Sequence, residues 1–108
     1  MNVQFKKGSL EMCVLIFIHA KDRYGYELAQ QVSESIQIAD GTLYPLLRRL
    51  TKEGFLSTYF AASSEGPQRK YYTITDKGKE RMKELINEWA IFTKNVDELI
   101  RKEYKIHE

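Results

Sequence analysis

The feature that most constrains this chain lies toward its C-terminus. Met82, Trp89 and Val96 stand seven apart, and Leu85, Phe92 and Leu99 repeat that interval three residues on. Ile86 and Ile100 widen the stripe. This is an a/d seam over three heptads, ending where Glu103 takes the next a position. It predicts one long helix, capped by Thr75 or Asp76 and reaching about Lys102. A seam this apolar does not face water. It must cover another helix of the same chain, a second copy, or both. A chain of 108 residues buries a modest core, so a second subunit would add stability.

A partner exists near the N-terminus. Met12 to Ile18 are apolar without a break, and periodicity alone cannot separate a buried helix from a buried strand. Ser9 as a cap, Glu11 in the first turn and the length of the run favour a helix over roughly Leu10–Ala20, after a frayed basic arm of residues 1–7. A helix apolar on all sides is central, or shared with another subunit. Covering the C-terminal seam and a second copy together would explain it. Cys13, inside this run, is the single cysteine. It cannot form an internal disulfide, which suits a reducing compartment, and it reads as structural because no cationic neighbour activates it. The run is too short to cross a bilayer, and no cleavage site follows it. The expectation is a cytoplasmic chain, complete as it stands, with no membrane partner.

Between these two helices the chain changes character twice. Gly25 breaks the pattern, and Tyr26–Glu34 resumes it with Leu28, Ala29 and Val32 on one stripe. "IQIADG" is a connector. "GTLYPLLRRLTKEGF" is a third helix closed by Gly54 in the usual C′ position. Residues 56–61 and 69–75 are β-rich, and the "ASSEGPQ" between them is built of turn formers. Three helices, a hairpin and a long helix give an α+β, mostly α fold. The order is that of a winged helix-turn-helix over residues 1–75, followed by a dimerisation helix over residues 76–108. The third helix would be the recognition helix.

Charge supports that assignment. The net charge is only +2, but residues 41–80 carry seven basic groups against four acidic ones, while residues 1–40 stand at −1 and residues 81–108 at zero. Projected at about 100° per residue, Leu43, Leu46, Leu47 and Leu50 form one face of the third helix. Gly41, Pro45, Arg48, Arg49 and Lys52 fall opposite, with Thr42 and Tyr44 flanking. Compact groups at a helix N-terminus suit base edges, and cations further along suit phosphates. The same pattern also describes a solvated basic face. Pro45 admits two readings. With Thr42 as N-cap it loses no helix bond; with a start at Asp40 it removes one, at a cost of about 3 kcal/mol. Arg69 and Lys70, beside a Gly-Pro turn, would supply a cationic wing.

Other chemistry lacks an inventory. His19 and His107 are isolated and the cysteine has no partner, so no metal spacing exists. No Gly-rich phosphate loop follows a strand. The expectation is no catalytic residue, no metal and no cofactor. The rival reading is a winged-helix module that docks on another protein and binds no DNA.

"YGYEL" (Tyr24–Leu28), "GTLYPLLRRLTKEGFL" (Gly41–Leu56) and "RKYYTITDKGKE" (Arg69–Glu80) together resemble the PadR family of transcriptional regulators, in its compact subgroup with a single C-terminal helix. The resemblance covers nearly the whole chain in the right order. It implies a homodimeric repressor on a pseudo-palindromic double-stranded DNA operator. Thr42, Tyr44 and Pro45 look like the recognition-helix tip, and Arg48, Arg49 and Lys52 like base or phosphate contacts beyond it. Arg69 and Lys70 look like the wing, although Gln68 stands where the family often has a further basic residue. Tyr26 would lie near the DNA backbone, or else pack the turn between the two helices. Met82, Leu85, Ile86, Trp89, Phe92, Val96 and Leu99 would form the dimer interface. Members of this subgroup that respond to flat aromatic drugs carry a Trp in the place of Trp89. This implies a planar aromatic inducer between Trp89, Phe92 and Met12, the alternative being interface packing alone.

Overall fold

The computed structural model describes residues 3–36 and 40–104. The first helix is longer than the sequence suggests. α1 spans Val3–Ala20, so Ser9 lies inside it and not at its N-cap, and residues 3–7 are helical rather than a frayed arm. Extending a formed helix is far easier than nucleating one. Gln4, Lys6 and Lys7 are good helix formers and offset the roughly 1 kcal/mol that Gly8 costs inside it. Leu10, Val14, Leu15 and Ile18 are buried at helical spacing, while Ile16 faces out. Cys13 is half-buried, and burial pushes its thiol above the usual range, as befits an unreactive position.

A two-residue strand that no sequence pattern announces, β1 (Arg23–Tyr24), precedes α2 (Gly25–Ser35). Leu28 and Val32 of α2 are buried on the core. α3 (Asp40–Lys52) contributes Leu43, Leu47 and Leu50, with Leu46 partly buried beside them. Its end is a Schellman motif. Phe55 N–H donates to the Leu50 carbonyl at 2.9 Å and Gly54 N–H to that of Thr51 at 3.1 Å. Gly54 takes φ 86°, a left-handed conformation that only glycine adopts freely.

The hairpin consists of β2 (Leu56–Ser63) and β3 (Gly66–Ile74). Ser63 pairs with Gly66, so the turn is Ser64–Glu65 and not the seven residues 62–68. The register shifts between Ala61 and Ser63, and Pro67 falls in that irregular stretch, where no ladder N–H is required of it. β3 is the middle strand: β1 pairs antiparallel along its other edge, Arg23 with Tyr72 and Tyr24 with Tyr71.

α4 (Asp76–Leu99) begins at Thr75, whose hydroxyl accepts from Gly78 N–H at 2.9 Å. The same hydroxyl donates to the Gly54 carbonyl at 2.7 Å. Thr75 N–H donates to the Phe55 carbonyl at 3.1 Å. The first turn of α4 therefore sits on the end of α3. A Cβ at Gly78 would stand 2.1 Å from the Phe55 oxygen and 2.8 Å from Ile74 Cγ1. Beyond Leu99 the chain continues as a π-helical turn, Ile100–Tyr104, so Lys102 and Glu103 leave the strict heptad geometry. His107 lies outside the described residues. No described helix is long and apolar enough to cross a membrane.

Replacing Gly78 by Ala is expected to lower unfolding stability by about 1–3 kcal/mol, as overpacking of a rigid site does. The same change at Gly41, where a Cβ meets nothing within 4 Å, is expected to leave stability unchanged or raise it. Urea titrations of the two variants measure the contrast.

Candidate nucleic-acid interface

α3 starts at Asp40, the second of the two readings that Pro45 allowed. Pro45 thus lies beyond the first turn, and the Gly41 carbonyl has no amide hydrogen to accept from it. Gly41 is exposed, so solvent reaches this end of the helix. Tyr44, Pro45, Arg48, Arg49 and Lys52 are also exposed, and Thr42 is half-buried.

The two flanks of α3 do different things. Tyr44 and Arg48 turn toward the sheet. The Tyr44 ring closes on Gly25 at the start of α2, where an added Cβ would meet ring carbon Cε1 at 3.1 Å. Buried Tyr72 on β3 has its hydroxyl pushed above the usual range by burial first, then by Tyr44, with Arg48 opposing. Arg48 and Lys52 enter no ion pair among the described residues.

Arg49 departs from the outward set. It sits about 120° round the helix from Leu43, on the Thr42 side, which faces α1. There its Nη2 donates to Glu11 Oε1 at 2.9 Å and its Nη1 to Glu53 Oε2 at 3.1 Å. Arg81 Nε of α4 donates to the other Glu11 oxygen at 3.1 Å. Glu11 is buried, at 8 % exposure, and satisfied on both oxygens. The hydrogen bond to Glu11, above all, holds the Arg49 guanidinium in its charged form. By its position in the sequence Glu11 reads as a first-turn acid. Its signal was a lone carboxylate between Leu10 and an apolar run, a position that requires partners.

Strand alternation separates the two wing cations. Arg69 lies on the outer face, its guanidinium carbon 4.4 Å from the Tyr24 ring centroid. It crowns a row of rings in which Tyr71 meets Tyr24 edge-on at 5.6 Å and stacks on Tyr59 at 5.5 Å. The Tyr59 hydroxyl donates to Asp22 at 2.7 Å. Lys70 lies on the inner face with Tyr72, its ammonium 5.7 Å from that ring. Lys70 therefore shares the side of Arg48 and Tyr44, and Arg69 does not. Gln68 is exposed in β3. Tyr26 is 61 % exposed, and its hydroxyl accepts from Gln30 at 3.0 Å. With Tyr44 it lines a cleft of about 470 Å³ between α2 and α3.

The C-terminal seam divides. Met82 is 7 % exposed and belongs to the protomer's own core, with Leu85 packed partly against it. Ile86, Trp89, Phe92 and Leu99 are exposed, and Val96 is half-buried. Ile91, Ile100 and Tyr104 are exposed as well. The heptads form one stripe on α4, and its burial falls off after the first two positions, Met82 and Leu85. Trp89, Phe92 and Met12 do come together. They line a groove of about 290 Å³ between α1 and α4, with the two aromatic rings 6.3 Å apart and Glu88 at the rim.

A protein-family model, the transcriptional regulator PadR-like family, matches residues 14–84. The chain belongs to this family. A crystal structure of a PadR-like transcriptional regulator from Bacillus cereus superposes with a TM-score of 0.84 at 40% identity, covering 93% of this chain and 99% of that one. An uncharacterized protein of Lysinibacillus sphaericus is 41% identical over 95 residues, 84% of this chain and 87% of its own length. The negative transcriptional regulator PadR of Bacillus subtilis is 24% identical over 101 residues; the match covers 90% of this chain and 53% of that protein. The winged-helix fold expected from the element order is the fold of the family. As a PadR-like regulator the chain acts in transcription by binding DNA.

Truncating Glu11 to Ala removes the shared acceptor of two cations and is expected to cost about 1–3 kcal/mol of stability, because both arginines are partly solvated. Truncating exposed Glu53, whose pair with Arg49 spans one helical turn, is expected to stay within about 0.5 kcal/mol. Thermal melts monitored by circular dichroism distinguish the two.

Proposed function

We propose that this PadR-like chain is a homodimeric repressor that binds a pseudo-palindromic operator and is released by a planar aromatic inducer. The observation that carries the reading is the exposed apolar strip of α4. Phe92 is 50 % and Leu99 59 % exposed on the lone protomer. Side chains of that size along one helix face call for cover, and a two-fold axis beside α4 supplies it with the same strip of a second copy. Residues 76–108 would then serve dimerisation and residues 1–75 DNA binding, in the cytoplasm where the DNA is.

In such a dimer the two recognition helices enter successive major grooves about 34 Å apart. Thr42, Tyr44 and Pro45 approach base edges. Arg48, Lys52 and Lys70 supply the uncompensated charge for phosphates. Tyr26 is open enough to meet the backbone beside them. The repressor role is supported by the Bacillus subtilis relative, which is a negative transcriptional regulator. The inducer would stack on Trp89 and Phe92 over Met12, where Glu88 favours a cationic group.

Replacing Arg48, Lys52 and Lys70 together by Ala is expected to abolish the gel shift of a library-selected duplex while leaving the melting curve intact. Each lost phosphate contact lowers the salt slope by about 0.9. An undiminished shift would mean that this face docks something other than DNA. Replacing Phe92 by Glu is expected to convert the dimer to a folded monomer in sedimentation velocity, and a persistent dimer refutes the α4 interface. Titration with ethidium is expected to quench Trp89 emission; the absence of quenching leaves Trp89 as packing alone.

A further inference from the structure

We propose that Glu11 is a positioning residue for DNA recognition. Through Arg49 and Arg81 it sets the angle between α3 and α4, and so the spacing of the two recognition helices in the dimer. The inference rests on the dimeric DNA-binding reading above and assigns Arg49 a role that is not DNA contact.

Among the described residues, Glu11 is the one place where side chains of α1, α3 and α4 meet through charge. Its two oxygens are divided, Oε1 to Arg49 of α3 at 2.9 Å and Oε2 to Arg81 of α4 at 3.1 Å. The partners are 38 and 70 residues away in sequence, so neither contact serves the local stability of α1. Each arginine is held a second time by a sequence neighbour, Arg49 by Glu53 just past the end of α3 at 3.1 Å and Arg81 by Glu84 on α4 at 3.5 Å. Those local pairs fix the side-chain direction, and Glu11 then fixes the two helices to each other.

Two alternatives fit less well. As a phosphate contact, Arg49 would have to leave Glu11, stranding a carboxylate at 8 % exposure with one partner. As a device for stability alone, an ion triad is a poor choice, since apolar side chains of similar volume often do as well or better. What the triad adds is direction, because two strong charge-assisted hydrogen bonds tie α3 and α4 to opposite oxygens of one buried carboxylate.

The geometry explains why a small angle matters. α4 has 24 residues and extends about 36 Å. A tilt of about 5° over that length moves its far end by about 3 Å, close to one base-pair step of roughly 3.4 Å.

The test uses duplexes selected from a random library by the full-length protein, then remade with one base pair added or removed between the half-sites, and as single half-sites. The wild type is expected to lose ~10-fold or more in affinity per altered base pair. Glu11→Gln, Arg81→Gln and Arg49→Gln are expected to bind the single half-site within ~2-fold of wild type and to lose most of that spacing penalty. Arg49→Gln is further expected to keep the wild-type salt slope, whereas Arg48→Gln lowers it by about 0.9. If Glu11→Gln does not fold, Arg81→Gln, which leaves Glu11 one partner, carries the spacing measurement alone. A salt slope lowered by Arg49→Gln as by Arg48→Gln makes Arg49 a direct contact and overturns the proposal. So does a spacing penalty that survives in the Glu11 and Arg81 variants, which would reduce the triad to a structural role. A wild-type protein that selects no two-fold duplex overturns the dimeric repressor reading itself, and this inference with it.

Discussion

The carbonyl of Phe55 is the point on which this protomer closes. Phe55 ends α3 by donating its N–H to Leu50, and its oxygen then accepts from Thr75 at the head of α4. Gly78 lies against that oxygen with no room for a side chain. One residue thus terminates α3, leads into β2, and seats the helix that carries the exposed seam. The covalent spacing of these events is short on one side and long on the other, because the whole hairpin lies between Phe55 and Thr75. Hairpin closure and helix capping therefore stand or fall together. A loosened wing would release the cap of α4, and a displaced α4 would remove a partner from the base of the hairpin.

Much of this architecture could be read from residue order alone, and the reasons are local. Gly54 and the leucines of α3 follow from turn chemistry and helical period, which a one-dimensional pattern records well. Thr75 was one of two caps the sequence allowed. The missed elements are those in which tertiary contacts decide. β1 is two residues long and exists because β3 offers it a free edge. The helical residues before Ser9 carry no stripe of their own in the sequence. The hairpin turn is only two residues long because pairing resumes at Gly66, beyond a register shift spanned by Pro67 and Gln68, and all three residues argue locally for a turn.

The site was legible to a similar depth. A helical projection separates inward from outward, and it placed the leucines and the open cations correctly. It cannot say which of two flanks meets a neighbour. Arg49 and Arg48 are adjacent in sequence, about 100° apart around the helix, and belong to its two flanks, one turned to α1 and the other to the sheet. Arg69 and Lys70 repeat the lesson on a strand, where alternation puts neighbours on opposite faces. Heptads likewise located the seam without saying where α1 stops covering it. Burial of Met82 and exposure of Phe92 mark that limit.

The row of tyrosines beneath Arg69 has a further consequence for how the wing can meet a partner. A two-stranded ribbon is marginal in water. Here the ribbon is braced at its base by β1 and by the stacked rings of Tyr24, Tyr71 and Tyr59. Past Arg69, which still packs on the Tyr24 ring, it has only its own two strands and a register shift. Ordering entropy is therefore spent unevenly along it. The base is already fixed before any encounter, and contacts made there lose little freedom. The tip still has freedom to lose, so each contact it makes is weaker but can conform to the surface it finds.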